Sequence, residues 1–109
     1  MFMHSKRDGQ LRFKAKIFHA LSDPARLDII DFLRSGEKCV CEIIPHVDLI
    51  QPVVSRHLKI LKDCGILKHR KEGTRRLYSV TDPRIFKIID SVDSDLVDAL
   101  TKRIIEQIA

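Results

Sequence analysis

Two cysteines and a band of cations are the reactive features of this 109-residue chain. Cys39 and Cys41 stand two apart in Cys39-Val40-Cys41-Glu42. Paired thiolates suit a soft cation or a thiophilic metalloid better than a hard ion. The cations follow in Gln51–Leu67, QPVVSRHLKILKDCGIL, where Ser55, Arg56, Lys59 and Lys62 share one helical face and Val54, Leu58 and Leu61 the other. A helix of about three turns, apolar on one side and cationic on the other, is sized for a DNA major groove. Arg70, Lys71, Arg75 and Arg76 cluster just beyond it and suit phosphate. Each feature also has a plain structural reading: two small apolar residues, a solvated helix face and an edge hairpin guarded by charge.

The charge balance favours a polyanion. Residues 1–50 carry eight Lys/Arg against seven Asp/Glu, residues 51–81 eight against two, and residues 82–109 four against six. The net charge of +5 is therefore concentrated on one stretch, as expected of a nucleic-acid-binding face. Length predicts one domain, and 44% hydrophobic with 32% charged residues describes a folded chain. No apolar run approaches the ~18 residues of a membrane span, and MFMHSKRDGQ lacks the apolar core of a secretory signal. Three cysteines make no disulfide framework, so a reduced, cytoplasmic setting without membrane contact is expected.

The positioning elements can be read in order. Residues 1–10 are expected to form a flexible arm and residues 11–109 a single domain. Leu11, Ala15, Phe18 and Leu21 mark a first helix; Asp23 as N-cap and Pro24 at its first position open a second, with Leu27, Ile30 and Leu33 inward. Residues 40–47 make a short third helix strained by Pro45, leading into the central helix with Pro52 at its start and Gly65 as left-handed cap. Two helices around a tight turn, the second with a basic face, make a helix-turn-helix. Ile66–Lys71 and Thr74–Val80 alternate and meet at Glu72–Gly73, a β-hairpin wing with a cationic tip. A last helix, about 83–108, shows Ile85, Ile88, Ile89, Val92, Leu96, Leu100, Ile104 and Ile108 on a face wider than so small a core can cover. The expected fold is mainly α with a β-hairpin wing, dimerised through its terminal helices and matched to a palindromic, double-stranded operator.

The segments HALSDPARLDIIDFL, CVCEII, QPVVSRHLKILKDCGIL and KEGTRRLYSV, in this order, resemble the ArsR/SmtB family of winged-helix transcriptional repressors over residues 11–81. The resemblance implies a homodimer that binds operator DNA without a cofactor and releases it when an inducer binds. It places Gln51, Ser55, Arg56, His57 and Lys59 at the family's DNA-facing helix positions. Lys62 and the wing residues Arg70, Lys71, Arg75 and Arg76 join them by charge. It also equates Cys39 and Cys41 with the thiolate motif of sensors of As(III), Sb(III) or a soft divalent metal such as Cd.

Several points stay open. On a regular helix, at ~100° per residue, Cys39 and Cys41 point to opposite faces, so their convergence on one ion requires a loosened first turn. Ile44 occupies the position of a third cysteine in some relatives. The third donor is then Cys64, His46, His4, an exogenous thiol or nothing, and Cys64 is expected first as a small core residue. Residues 82–109 hold Asp82, Asp90, Asp93 and Asp95 but no histidine, which argues against a zinc- or nickel-type site there. A thiol-redox input, or no effector and purely structural cysteines, is the alternative regulator. No nucleophile stands beside a base and no glycine-rich phosphate loop appears, so an enzyme is not expected.

Overall fold

The computed structural model describes residues 6–108, and its elements are built around a single core. Helix α1 spans Lys6–Ala20 and α2 Pro24–Phe32, which runs on through a short 3-10 turn, Leu33–Ser35. Strand β1, Lys38–Cys39, leads directly into α3, Val40–Val47, and α4 spans Gln51–Asp63. Strands β2, Leu67–Glu72, and β3, Arg75–Val80, form the hairpin; α5, Arg84–Asp90, and α6, Ser94–Ile108, complete the chain.

Local chemistry sets the boundaries. The Asp23 carboxylate accepts hydrogen bonds from the Ala25 and Arg26 amides at 2.8 and 3.3 Å, and Pro24 opens α2, as predicted. At the far end of α4 the Ile66 amide bonds the Leu61 carbonyl and the Gly65 amide bonds Lys62, each at 3.0 Å. That paired arrangement needs a left-handed residue, and Gly65 supplies it at φ +85°. Ile29, Ile30, Ile43, Val54, Leu58, Leu61, Ile66 and Leu67 fill the core from α2, α3, α4 and β2.

Six expectations are corrected. Residues 6–10 are the first turns of α1 and not part of an arm. Leu11, Ala15 and Phe18 of α1 and Leu27 of α2 face solvent, so the core takes less of these helices than their spacing suggested. Gln51 precedes Pro52 in the helix, and the hairpin loop is Gly73–Thr74, each one residue from the predicted place. The hairpin is not two-stranded: β1 pairs with β3 at Lys38↔Tyr78 and Cys39↔Leu77, giving the antiparallel order β1-β3-β2. The last helix is broken. Ser91 Oγ donates to the Ile88 carbonyl at 2.6 Å, and Asp93 accepts from the Leu96 amide at 2.9 Å as the cap of a new helix. The bidentate pair of Arg34 with Asp90 ties α5 to the body, with the Arg34 guanidinium over the Phe86 ring. None of the described residues of α6 is buried. No helix among the described residues is long and apolar enough to cross a membrane.

Candidate nucleic-acid interface and thiol site

Burial orients α4. Val54, Leu58 and Leu61 are wholly inside, which leaves Gln51, Ser55, Arg56, Lys59 and Lys62 outside on the opposite face. The wing stands beside this face. Arg70, Lys71, Arg75 and Arg76 are all exposed on it, but they are not equivalent.

Ion pairs sort the cations into two groups. Arg70 bonds Glu37 at 2.5 and 3.1 Å and Glu72 at 3.2 Å, clamping the wing to the residue before β1. Arg75 lies 3.7 Å from Glu42 and 3.8 Å from Glu72, and Lys59 bonds Asp63 at 2.8 Å. These contacts hold the carboxyls of Glu37 and Asp63 below the usual carboxylate range, chiefly through the hydrogen bonds from Arg70 and Lys59. Arg56, Lys62, Lys71 and Arg76 have no ion-pair partner among the described residues. Burial holds His69 below the ordinary imidazole value, and repulsion by Lys62, Arg76 and Lys71 adds to it.

His57 is placed differently from its predicted neighbours. It is half-buried, and its Nδ1 lies 3.1 Å from a guanidinium nitrogen of Arg26. Arg26 is itself buried and also donates to the carbonyls of Ala20 at 2.7 Å and His19 at 3.3 Å, at the end of α1. Guanidinium only donates, so the imidazole nitrogen facing it accepts. The pair thus joins the end of α1 to the recognition helix from within. Sequence reasoning missed Arg26 although a signal was present: with Ile29, Ile30 and Leu33 it completes an inward stripe at helical spacing.

The thiols sit where strand becomes helix. Cys39 ends β1 with extended backbone, φ −69° and ψ 148°, and caps α3; its Sγ accepts from the Cys41 amide at 3.0 Å. The Glu42 carboxylate returns to the Cys39 amide at 2.9 Å, completing a capping box. With one cysteine outside the helix and the other in its first turn, the Cα atoms are 5.0 Å apart and the sulfurs are joined as a disulfide. The expected loosening of the third helix is therefore unnecessary. Cys39 is buried, whereas Cys41 is exposed.

Among the described residues no third donor approaches this pair. Cys64 is buried in the core, its Sγ donating to the Leu61 carbonyl at 3.4 Å. His46 stacks on Phe32 at 4.0 Å between ring centroids and lies 3.1 Å from Asp28. His4 lies outside the described residues. Among the described residues no group of three or more His, Cys, Asp or Glu side chains could hold a metal ion. Both cysteines instead line a cleft of about 820 Å³ between α3, α4 and the wing, together with Gln51, Ser55, Lys62 and Arg76.

The sequence profile of bacterial regulatory proteins of the arsR family matches residues 23–69, which take in α2, α3, α4 and the start of the wing. An uncharacterised helix-turn-helix transcriptional regulator of Methanocaldococcus jannaschii is 49% identical over 80 residues, 72% of this chain and 90% of that protein. The arsenical resistance operon repressor of Staphylococcus xylosus is 36% identical over 77 residues, 71% of this chain and 74% of the repressor. Among solved structures, the homodimeric winged helix-turn-helix DNA-binding domain from Mycobacterium bovis superposes with a TM-score of 0.72 at 28% identity, covering 98% of this chain and 95% of that domain.

Proposed function

The chain belongs to the arsR family of bacterial regulatory proteins, a winged helix-turn-helix transcriptional regulator and not an enzyme, and from that premise we propose that it is a cytoplasmic, homodimeric, thiol-responsive repressor. It binds palindromic operator DNA through α4 and the wing and leaves it when a thiophilic inducer engages Cys39 and Cys41. One observation carries the reading: the unpaired cations Lys62, Lys71 and Arg76 line the same cleft as Cys39 and Cys41. Release of the operator by a ligand of those thiols then needs no long-range relay.

The residues divide the work. Ser55 and Arg56 on the outer face of α4 reach base edges, while Lys62, Lys71 and Arg76 take phosphates. Arg70 and Arg75 chiefly brace the wing, and His57 supports α4 from behind. Two thiolates at Cys39 and Cys41 favour soft inducers. The Staphylococcus xylosus relative's role in arsenical resistance makes As(III) the first to try, with Sb(III) and Cd beside it. Exposed apolar faces on α1 and α6 supply the dimer contact.

The test is operator binding by reduced protein titrated with As(III), Cd(II) and Zn(II), beside Cys39→Ser/Cys41→Ser. Release by a thiophilic ion from the wild type only supports the reading. Undisturbed binding with every ion removes the sensor and keeps the DNA-binding protein.

A further inference from the structure

Cys41 is the exposed member of the cysteine pair, and it opens into a cleft whose charge is not balanced from within. Lys62, Lys71 and Arg76 line that cleft with no ion-pair partner among the described residues, and Arg75 is held only at 3.7 and 3.8 Å from its acidic neighbours. The same three cations repel a proton on His69, whose pKa burial and this repulsion both lower. At about 820 Å³ the cleft has the volume of a small-molecule site, and Ser55, Gln51 and Thr74 add neutral hydrogen-bonding groups to its wall. A disulfide open to thiol attack and a cationic enclosure meet here.

We infer that this cleft binds a small anionic thiol, which forms a mixed disulfide with Cys41, and that the bound anion and a DNA phosphate exclude one another. The second half rests on the reading of α4 and the wing as the DNA interface. In the exchange, the thiolate sulfur of the ligand attacks Cys41 Sγ. The Cys39–Cys41 bond breaks, its electron pair leaves on Cys39 Sγ, and a new bond joins Cys41 to the ligand. The ligand thiol is oxidised to the disulfide level while Cys39 is reduced and takes, through solvent, the proton the ligand gave up. Cys41 is attacked because Cys39 is only 3% exposed. Cys39 leaves well because its sulfur caps α3 and accepts the Cys41 amide at 3.0 Å, both of which stabilise a thiolate. The carboxylate of the ligand then occupies the cations that a phosphate would need.

The test uses Cys39→Ser/Cys64→Ala, in which Cys41 is the one thiol and its adduct cannot be expelled. The symmetric disulfides of 3-mercaptopropionate, 2-mercaptoethanol and cysteamine deliver an anionic, a neutral and a cationic group of similar size. Adduct formation is followed by intact mass, and each rate is divided by that of a free cysteine peptide. At low salt the anionic reagent should react at least about tenfold faster than the cationic one, the lower end of electrostatic steering. The ratio should collapse with Lys62→Glu/Arg76→Glu. The anionic adduct should then bind the operator at least about tenfold more weakly than the cationic adduct, since a displaced phosphate contact is lost only there. Normalised rates indifferent to charge would overturn the anion site. Equal loss of operator affinity in all three adducts would overturn the mutual exclusion in favour of a conformational effect. If the unmodified variant does not bind operator, the DNA reading fails and the rates still judge the site. Should Cys64→Ala impair folding, Cys39→Ser alone, with the adduct mapped by peptide mass, makes the same comparison.

Discussion

Helices α4 and α6 are both amphipathic and of similar length, 13 and 15 residues, yet only α4 buries its apolar face within the chain. α4 puts Val54, Leu58 and Leu61 into the core and turns an unpaired basic face to solvent. α6 leaves Leu96, Val97, Leu100, Ile104, Ile105 and Ile108 between 39% and 80% exposed. Burying one such side chain is worth about 1.5–3 kcal/mol, so an uncovered stripe of this length carries a large unused driving force. The difference teaches that periodicity encodes the need for a partner but not whether that partner lies in the same chain.

The comparison can be broken at either helix. Leu58→Ala should cost about 2–5 kcal/mol of folding stability by leaving a cavity under α4, read as a lower urea midpoint. The paired change Leu100→Glu/Ile104→Glu on α6 should leave that midpoint nearly unmoved, because neither side chain is buried within the chain, while sedimentation shows loss of the dimer. A large drop in the urea midpoint of the monomer would mean α6 is part of the core after all.

The outer face of α4 and the wing sharpen the contrast. Arg56→Ala should weaken specific binding by about 1–3 kcal/mol and relax one base position, measured across operator variants. Arg76→Ala should weaken binding uniformly and reduce the salt slope by ~0.9 per protomer, ~1.8 for the dimer. Arg70→Ala should change that slope less, since its guanidinium is already occupied by Glu37 and Glu72. The smallest effect is on pH. His69 is held below its ordinary value in the free protein by burial and by Lys62, Arg76 and Lys71. A phosphate that neutralises those cations raises it, so the complex holds the proton more tightly than the free protein. Operator affinity should therefore rise modestly as pH falls below the ordinary imidazole value, and His69→Gln should flatten that profile.

Much of this molecule is written locally. Asp23-Pro24, Gly65 and the stripe Val54, Leu58, Leu61 each act within a turn or two of backbone, and each does in the structure what its type and spacing predict. The break in the last helix was equally local: Ser91 and Asp93 are a terminator and a cap, masked by the continuous apolar pattern on either side. Arg26 was legible too, as the one charged member of an inward stripe, but its partners were not, since His57 lies 31 residues away.

The helix-turn-helix, the wing, the placement of positive charge and the two closely spaced cysteines are all legible along the chain. Those follow from side-chain period, capping and composition, which need no knowledge of distant residues. That Lys38–Cys39 is a strand is not legible there, because a two-residue strand exists solely through its pairing with Leu77 and Tyr78. That pairing places one cysteine outside the helix and brings the sulfurs together. The tertiary structure also decided which cations are free, since Glu37 and Glu42 reach across the fold to the wing and spend Arg70 and Arg75 on structure. Charge can be counted along a chain; whether it is available to a ligand depends on what the fold has already placed beside it.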